Sequence, residues 1–200
     1  MAHYFSHQGY DGAFDQRGQG IYRLFVPDLS SFHRILPEAQ LITYNASKEI
    51  AQLQGVYPPS WALKRDPGSL VIHIDGACRN NGQPGARASW GVFTSSRAEI
   101  EALSHGIDII YDICFYDHSL TRVKIVSDSQ YLVNTMSMWV YDWAASGGFT
   151  ASGRPAVHFN RLMDLQSRLE GLESPDNADI DIQFWRVPRV RNHEADALAN

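Results

Sequence analysis

Two aspartates, Asp75 and Asp128, each stand at the end of a short apolar run that is rich in β-branched residues. Runs of this kind predict buried strands, here residues 70–75 and 122–127. If the two strands are parallel neighbours, their carboxyl ends meet at one edge of a sheet, where α/β folds bind ligands. A lone Asp after a strand is more often a turn residue, so the interpretation depends on further acidic residues.

Two more carboxylates have positions in the sequence that could bring them into the same site as Asp75 and Asp128. Glu99 lies in the first turn of a predicted helix, residues 97–113, and Asp196 lies in the first turn of a last helix that begins near His193. Four carboxylates in one site cannot all ionise cheaply, and hard divalent cations relieve that repulsion. Mg²⁺ is the expected ion because it prefers oxygen ligands. Two such ions would activate a water and stabilise the leaving oxygen in an attack on phosphorus.

The remaining periodicity indicates an α/β fold in which helices follow most strands. It predicts two further strands, residues 88–93 and 180–187, and two further helices, residues 129–134 and 157–170.

The first 69 residues show weaker patterns. A strand is predicted at residues 21–26 and a short helix at residues 47–53, and the turn formers Asp66-Pro67-Gly68-Ser69 mark a boundary. We therefore divide the chain into an N-terminal extension of unknown role, residues 1–69, and a main domain, residues 70–200.

Composition restricts the class of protein. The net charge of −5 arises in residues 70–200, which hold 11 Lys and Arg against 16 Asp and Glu. That balance argues against a protein that holds nucleic acid by charge alone, but less against one whose acidic cluster binds cations.

We expect an intracellular protein with no membrane association, because no apolar run approaches a membrane span and residues 1–10 do not resemble a secretory signal. A monomer is also expected. Cys78 and Cys114 are expected to be reduced thiols.

Four motifs in register across residues 70–200 resemble type 1 ribonuclease H. They are residues 74–82 (IDGACRNNG), 96–100 (SRAEI), 126–131 (VSDSQY) and 187–199 (VPRVRNHEADALA). The resemblance implies an RNase H-like fold, with a mixed five-stranded sheet flanked by helices. It also implies endonucleolytic hydrolysis of the RNA strand of RNA–DNA hybrids, which leaves 3′-hydroxyl and 5′-phosphate ends.

The resemblance assigns the metal ligands residue by residue. The catalytic carboxylates that would bind two Mg²⁺ ions, with Mn²⁺ as a substitute, are Asp75, Glu99, Asp128 and Asp196. Glu101 is the alternative to Glu99, but a step of two residues puts it on another face of the helix. His193 is a candidate for proton transfer or product release, although a His in the first turn of a helix is usually a solvated surface residue.

The resemblance also implies a set of side chains that contact the hybrid. They are Asn80, Asn81, Thr94, Ser95, Gln130, Trp139, Trp143, Asn160 and Arg189. Asn80 and Asn81 are candidates to contact ribose 2′-hydroxyls, or they simply suit a turn. Trp139 and Trp143 share one helical face and would line the DNA groove or belong to the core. The family contacts the DNA strand near the positions of Thr94, Ser95 and Asn160. Arg189 is a candidate to bind phosphate near the scissile bond.

The sequence departs from the family in three places. Residues 143–149 contain no basic residue where many relatives are Lys-rich, which predicts weaker hybrid binding than in a basic relative because phosphate contacts supply much of the affinity. Only residues 92–96 connect the second predicted strand to the next helix, where the family has a longer hairpin with a third strand, so one hairpin strand is expected to be shortened or missing. Either the connection is short, or a stretch is left out of this sequence; the second is favoured because losing a strand would expose the sheet edge. The short connection at residues 188–196 resembles a compact Val-Pro-Arg-x-x-Asn subgroup with a eukaryotic, fungal-looking character.

Two alternatives stay open. One is an RNase H domain that serves another nuclease or a reverse transcriptase, although no polymerase sequence is present. The other is a catalytically weak or silent RNase H-like module that binds nucleic acid. The four carboxylates argue against the silent module, whereas the acidic surface and the missing basic residues favour it.

Overall fold

A computed structural model describes residues 12–14, 20–76, 78–79, 87–88 and 95–193, with side chains at 23–76 and 96–193. Four residues predicted for the site, Asn80, Asn81, Thr94 and Asp196, lie outside the described residues. The side chain of Ser95, most of the strand predicted at residues 88–93 and the last predicted helix beyond His193 also lie outside them.

Ten strands and four α-helices are found in the described residues. The strands are β1 (Gly12–Phe14), β2 (Gly20–Phe25), β3 (Ile42–Asn45), β4 (Ile50–Tyr57), β5 (Ala62–Arg65), β6 (Ser69–His73), β7 (Cys78–Arg79), β8 (Arg87–Ala88), β9 (Arg122–Ser127) and β10 (Asp181–Arg186). The helices are α1 (Ser95–Tyr116), α2 (Gln130–Asn134), α3 (Val140–Ala145) and α4 (Phe159–Glu173), with a π-helix, Thr135–Trp139, between α2 and α3. Short 3-10 helices span Pro27–Leu29, Glu38–Gln40 and Arg189–Arg191. Within this part of the chain, no helix is both long and apolar enough to cross a membrane.

The parallel strands β6, β9 and β10 form the centre of a mixed sheet. β2 continues the sheet beyond β10 in the parallel sense, and β4 followed by β3 continues it beyond β6 in the antiparallel sense. The predicted α/β class is therefore confirmed, as are the strands predicted at residues 70–75, 122–127 and 180–187. The sheet has more strands than the five that the resemblance implied, because the N-terminal residues supply strands at both of its edges.

The N-terminal segment was predicted only in part. The strand at residues 21–26 is confirmed as β2, but the helix predicted at residues 47–53 is wrong, because most of it belongs to β4. Ile50 and Leu53 are three residues apart, which would put them on one face of a helix. In the strand they point to opposite faces of the sheet, and each is buried in a different core.

Each face of the sheet has its own apolar core. Helices α1, α2, α3 and α4 cover one face, where Val123, Ile125 and Phe184 pack beneath them. The other face carries Val71, Val126 and Trp185, and it packs against Leu41 and Leu36 from the segment between β2 and β3. The N-terminal residues therefore contribute to both cores, through Ile50 on the helical face and Leu41 on the other, as well as to both sheet edges.

Candidate metal centre

Three of the four predicted carboxylates come together at one edge of the sheet. Asp75, Glu99 and Asp128 each offer a ligand atom, and these atoms lie within 4.8 Å of one another. Asp75 follows β6 and Asp128 follows β9, and these strands are parallel neighbours in register, with Ile72 opposite Ile125. Glu99 reaches the same place from the start of α1. The arrangement gathers hard anionic oxygens in one small volume.

Gly76 lets α1 approach this edge closely. A Cβ atom built on Gly76 would lie 2.2 Å from the backbone carbon of Ala98 and 2.2 Å from the nitrogen of Glu99. Real Cβ atoms essentially never come so near, so any side chain here would push the helix away. The glycine therefore sets the distance between Glu99 and the aspartates.

The carboxylate of Glu99 is in an environment that disfavours its charge. Burial and the negative charges of Asp75 and Asp128 raise the pKa of Glu99 to about 8, against a smaller opposing effect of the Gly76 backbone N–H and of Arg189. Its Oε2 atom is buried and has no hydrogen-bond partner among the described residues. A buried carboxyl oxygen without a partner is suited to a cation, whose charge would stabilise the ionised form of Glu99.

Glu101 has a different environment. Its Oε2 accepts a hydrogen bond from Nη2 of Arg161 at 3.0 Å, and its side chain is 40% exposed. Geometry therefore separates the two glutamates of this helix, with Glu99 in the carboxylate cluster and Glu101 in an ion pair with α4.

The turn after β10 is fixed to the strand that leads into the cluster. Asn192 is buried, and its Nδ2 donates to the backbone oxygen of Ile74 at 2.9 Å. Its Oδ1 lies 3.0 Å from Nδ1 of His73. Arg189 belongs to the same turn, and its charge acts on Glu99. His193 is exposed, and its Nδ1 lies 3.2 Å from the backbone oxygen of Val190.

Sequence reasoning missed Gly76 and Asn192 as functional residues. Both stand inside the motifs that carried the resemblance, next to a carboxylate or at the end of the Val-Pro-Arg-x-x-Asn pattern. Their positions were visible, but their contacts are long-range: Asn192 and Ile74 are 118 residues apart in the chain. A residue pattern alone gives no sign of such a contact.

The two tryptophans of the predicted DNA groove differ in exposure. Trp143 is 7% exposed and belongs to the core on the helical face of the sheet. Trp139 is 37% exposed, and its ring centroid lies 6.5 Å from that of Tyr131 and 6.1 Å from that of Trp143. Of the pair, Trp139 has the surface available to a ligand.

Two other candidate contact residues are exposed at helix starts. Gln130 follows Ser129, whose hydroxyl accepts a hydrogen bond from the backbone N–H of Leu132 and so caps α2. Asn160 lies in the first turn of α4. The starts of α4 and α1 are adjacent, because Nε2 of His158 lies 3.5 Å from the hydroxyl oxygen of Ser96.

Comparison with known proteins decides the family. The sequence model of RNase H matches residues 67–200. The chain belongs to the RNase H family. The predicted RNase H-like fold is thereby confirmed. The RNase H family generally uses a divalent metal, and the cluster of Asp75, Glu99 and Asp128 is a candidate site for one.

Its relatives include proteins from animals and bacteria. Ribonuclease H1 of Mus musculus is 27% identical over 152 residues, which cover 66% of this chain and 49% of the mouse protein. Ribonuclease H of Polaromonas naphthalenivorans (strain CJ2) is 30% identical over 156 residues, covering 67% of this chain and 86% of that protein. The chain therefore spans about half the length of the mouse protein. Among solved structures, LC11-RNase H1, isolated from compost, is 19% identical with a TM-score of 0.46, covering 66% of this chain and 94% of that chain.

The residues of the cluster fit a divalent metal ion. Asp75, Glu99 and Asp128 provide only carboxylate oxygens, the ligands that Mg²⁺ and Mn²⁺ prefer. The buried Oε2 of Glu99 lacks a partner that a cation would supply. The Gly76 and Asn192 contacts hold two of the contributing segments in place before any ion binds.

Proposed function

We propose that this chain is an endoribonuclease that hydrolyses the RNA strand of RNA–DNA hybrids and leaves 3′-hydroxyl and 5′-phosphate ends. The observation that carries the proposal is the convergence of Asp75, Glu99 and Asp128 within 4.8 Å in a member of the RNase H family. The orphaned Oε2 of Glu99 supports it, because a resident cation would relieve both its burial and the repulsion from its neighbours.

In this proposal Asp196 completes the ligand set for two Mg²⁺ ions, and Mn²⁺ can replace them. The bound ions would supply the charge that activates water and stabilises the leaving oxygen. The protein's own contribution is to orient the carboxylates through the close contact at Gly76 and the hydrogen bonds of Asn192. His193 is proposed to assist proton transfer or product release near this site.

Substrate contacts are assigned to residues around the same edge. Asn80 and Asn81 would contact ribose 2′-hydroxyls, and Arg189 would bind phosphate beside the cluster, as its effect on the pKa of Glu99 suggests. The proposed contacts with the rest of the hybrid are made by Thr94, Ser95, Gln130, Trp139, Trp143 and Asn160. Trp139 is the better supported of the two tryptophans, because Trp143 is buried. The compact turn at residues 188–192 supports the proposed Val-Pro-Arg-x-x-Asn subgroup.

Hybrid binding is proposed to be weak. The helical segment that carries Trp139 has no cation, and Arg161 of α4 is already paired with Glu101 and Asp164. Few phosphate contacts give a shallow dependence of log affinity on log salt. A salt titration of hybrid binding with a steep slope, which indicates many released counterions, would contradict this part of the proposal.

The same shortage of cations favours a second candidate, an RNase H-like module that binds nucleic acid without cutting it. The two functions differ in whether the carboxylates are needed for a reaction. A binding module would tolerate neutral substitutions at Glu99, whereas a nuclease would not.

The deciding experiment uses a labelled RNA–DNA hybrid with Mg²⁺ or Mn²⁺. Wild type is compared with Asp128→Asn and Glu99→Gln, and with Glu101→Gln as a matched control on the same helix. We expect wild type and Glu101→Gln to cut the RNA strand, and the two cluster variants to lose at least about 100-fold in rate. Absence of cleavage by folded, metal-binding wild type would reject the nuclease, and equal loss in Glu101→Gln would reject the assignment of Glu99.

A further inference from the structure

β4 extends beyond the central sheet as one arm of a hairpin. Its first residues pair with β3 and β6, whereas Gln54–Tyr57 have β5 as their partner among the described strands, with Gln54 opposite Arg65 and Tyr57 opposite Ala62. Every residue of β5 is exposed. The hairpin thus presents both faces of its outer strand and the turn before it to solvent.

The hairpin carries exposed apolar and positively charged side chains, although the protein as a whole is acidic. Trp61 is 62% exposed and Leu63 is 49% exposed, and they are followed directly by the exposed cations Lys64 and Arg65. Within the described ranges, neither of these cations has an ion-pair partner. Several other described cations are neutralised, such as Lys48 by Asp117, Arg122 by Asp66 and Arg168 by Asp108. Trp61, Leu63, Lys64 and Arg65 are called the hairpin surface below.

The inner strand of the hairpin, β4, is anchored to the segment between β2 and β3. The ring centroids of Tyr57 and Phe32 are 5.2 Å apart, and the Tyr57 hydroxyl lies 3.2 Å from Nε2 of His33. The backbone N–H of Val56 also donates to the oxygen of Phe32 at 2.9 Å. These contacts fix the backbone strand against which β5, with its exposed side chains, pairs.

The hairpin surface and the carboxylate cluster lie at opposite ends of the sheet. Leu53 N–H donates to the hydroxyl of Ser69, the first residue of β6, and Arg122, which pairs with Asp66, is the first residue of β9. Asp75 follows the last residue of β6. Six residues of extended chain separate Ser69 from Asp75, so the two sites are about 20 Å or more apart.

We infer that the hairpin surface binds single-stranded nucleic acid, such as the unpaired flank of a hybrid. Lys64 and Arg65, which pair with no described carboxylate, complement the phosphates, and an exposed indole offers a face on which an unpaired base can stack. A duplex offers no free base face inside its stack, so the exposed Trp61 favours a single strand. The biological context, a flank of the substrate, rests on the proposed function, whereas the binding itself does not.

The test measures binding of a fluorescein-labelled oligothymidylate of about 15 nucleotides to the full chain by anisotropy, in EDTA so that no hydrolysis occurs. Trp61→Asn removes the ring and suits the backbone, since Trp61 has a φ of 50° and Asn tolerates the left-handed region. The double variant Lys64→Gln/Arg65→Gln removes the two charges. Lys48→Gln, a surface cation paired with Asp117, is the control for a change in net charge.

We expect Trp61→Asn to weaken binding about 5- to 10-fold without changing the salt dependence. The double variant should weaken binding and reduce the slope of log affinity against log salt by about 1.4, the value for two phosphates of a single strand. Lys48→Gln should bind as wild type does. Unchanged binding in both hairpin variants, or no binding by wild type, would overturn the inference.

The two proposals fail separately. If wild type cuts a blunt hybrid but does not bind the oligothymidylate, the hairpin surface is not a nucleic-acid site and the nuclease stands. If the oligothymidylate binds as expected but no hybrid is cut, the nuclease is wrong and the hairpin surface stands.

Discussion

The side-chain amide of Asn192 donates a hydrogen bond to the backbone oxygen of Ile74, 2.9 Å away. Ile74 immediately precedes Asp75. One buried amide therefore joins the turn that contains Arg189 to the strand that leads to the Asp75 carboxylate. Because Oδ1 of the same amide faces His73, the end of β6 and the turn after β10 behave as one unit.

Asn192→Ala is expected to destabilise the protein by about 2–4 kcal/mol, since it leaves the Ile74 oxygen and the His73 nitrogen without partners. Cleavage should fall as well, and higher metal concentration should partly restore it. Urea unfolding monitored by tryptophan fluorescence measures the loss of stability. His73→Ala is the comparison, because it keeps the bond to Ile74 and should cost less. Equal losses in the two variants would show that the Ile74 bond does not hold the turn.

Gly76→Ala should lower the cleavage rate by about 100-fold, because a Cβ only 2.2 Å from the Ala98 carbon must displace Glu99 from the aspartates. Gly171→Ala is the matched control. Gly171 lies in α4 with nothing within 4 Å of a new Cβ, so that variant should keep its activity and gain about 0.5–1 kcal/mol of stability. Full activity in Gly76→Ala would mean that the close approach is not required.

Above about pH 8, where Glu99 is ionised, Asp75→Asn should stabilise the metal-free protein by about 1 kcal/mol, because it removes one of the like charges that face Glu99. The same variant should lose most of the rise in melting temperature that Mn²⁺ gives to wild type. Differential scanning fluorimetry with and without Mn²⁺ measures both effects. A variant that is less stable without metal, yet shifts fully with it, would contradict the role of Asp75 in the cluster.

The burial of His33 predicts that the free energy of unfolding decreases at acid pH, independently of the carboxylate cluster. Burial, helped by the charge of Lys124, lowers the pKa of His33 to about 4. The unfolded chain therefore binds a proton on this residue at a higher pH than the folded chain does. The stabilisation is complete above about pH 6.5 and is lost as the pH falls towards about 4, by about 3 kcal/mol at most.

Unfolding free energies measured across this pH range should fall less steeply in His33→Gln than in wild type. His105→Gln, at an exposed position of α1, should keep the wild-type profile. Parallel curves for wild type and His33→Gln would assign the acid sensitivity to other groups.

Residues 67–200, the span matched by the family, should not fold stably alone. Without the preceding segment, β6 loses its partner β4, and β10 loses β2. Val71, Val126 and Trp185 also lose the cover of Phe25 and Leu41. We therefore propose that the N-terminal segment belongs to the same folding unit, and we expect the shortened chain to aggregate or to show no cooperative unfolding. A soluble 67–200 fragment with a sharp thermal transition would instead support an independent N-terminal extension.

The sequence by itself was enough to predict the two central strands and the helix that carry Asp75, Asp128 and Glu99. Apolar runs ending on Asp75 and Asp128 are local patterns, and a buried parallel strand produces that pattern wherever it occurs. The helix of Glu99 was likewise predicted from its own periodicity, and α1 extends the predicted bounds by only a few residues at each end.

Only the tertiary structure decided how the N-terminal segment is used and what holds the cluster. A helix was predicted at residues 47–53, but pairing of Ala51 with Val71 makes residues 50–53 part of a strand. Such pairing joins distant parts of the chain and leaves no local periodicity to detect. The same holds for Gly76 against α1 and Asn192 against Ile74. A close approach or a buried hydrogen bond depends on two segments that are distant in the chain. The sequence of one segment does not show which other segment it contacts.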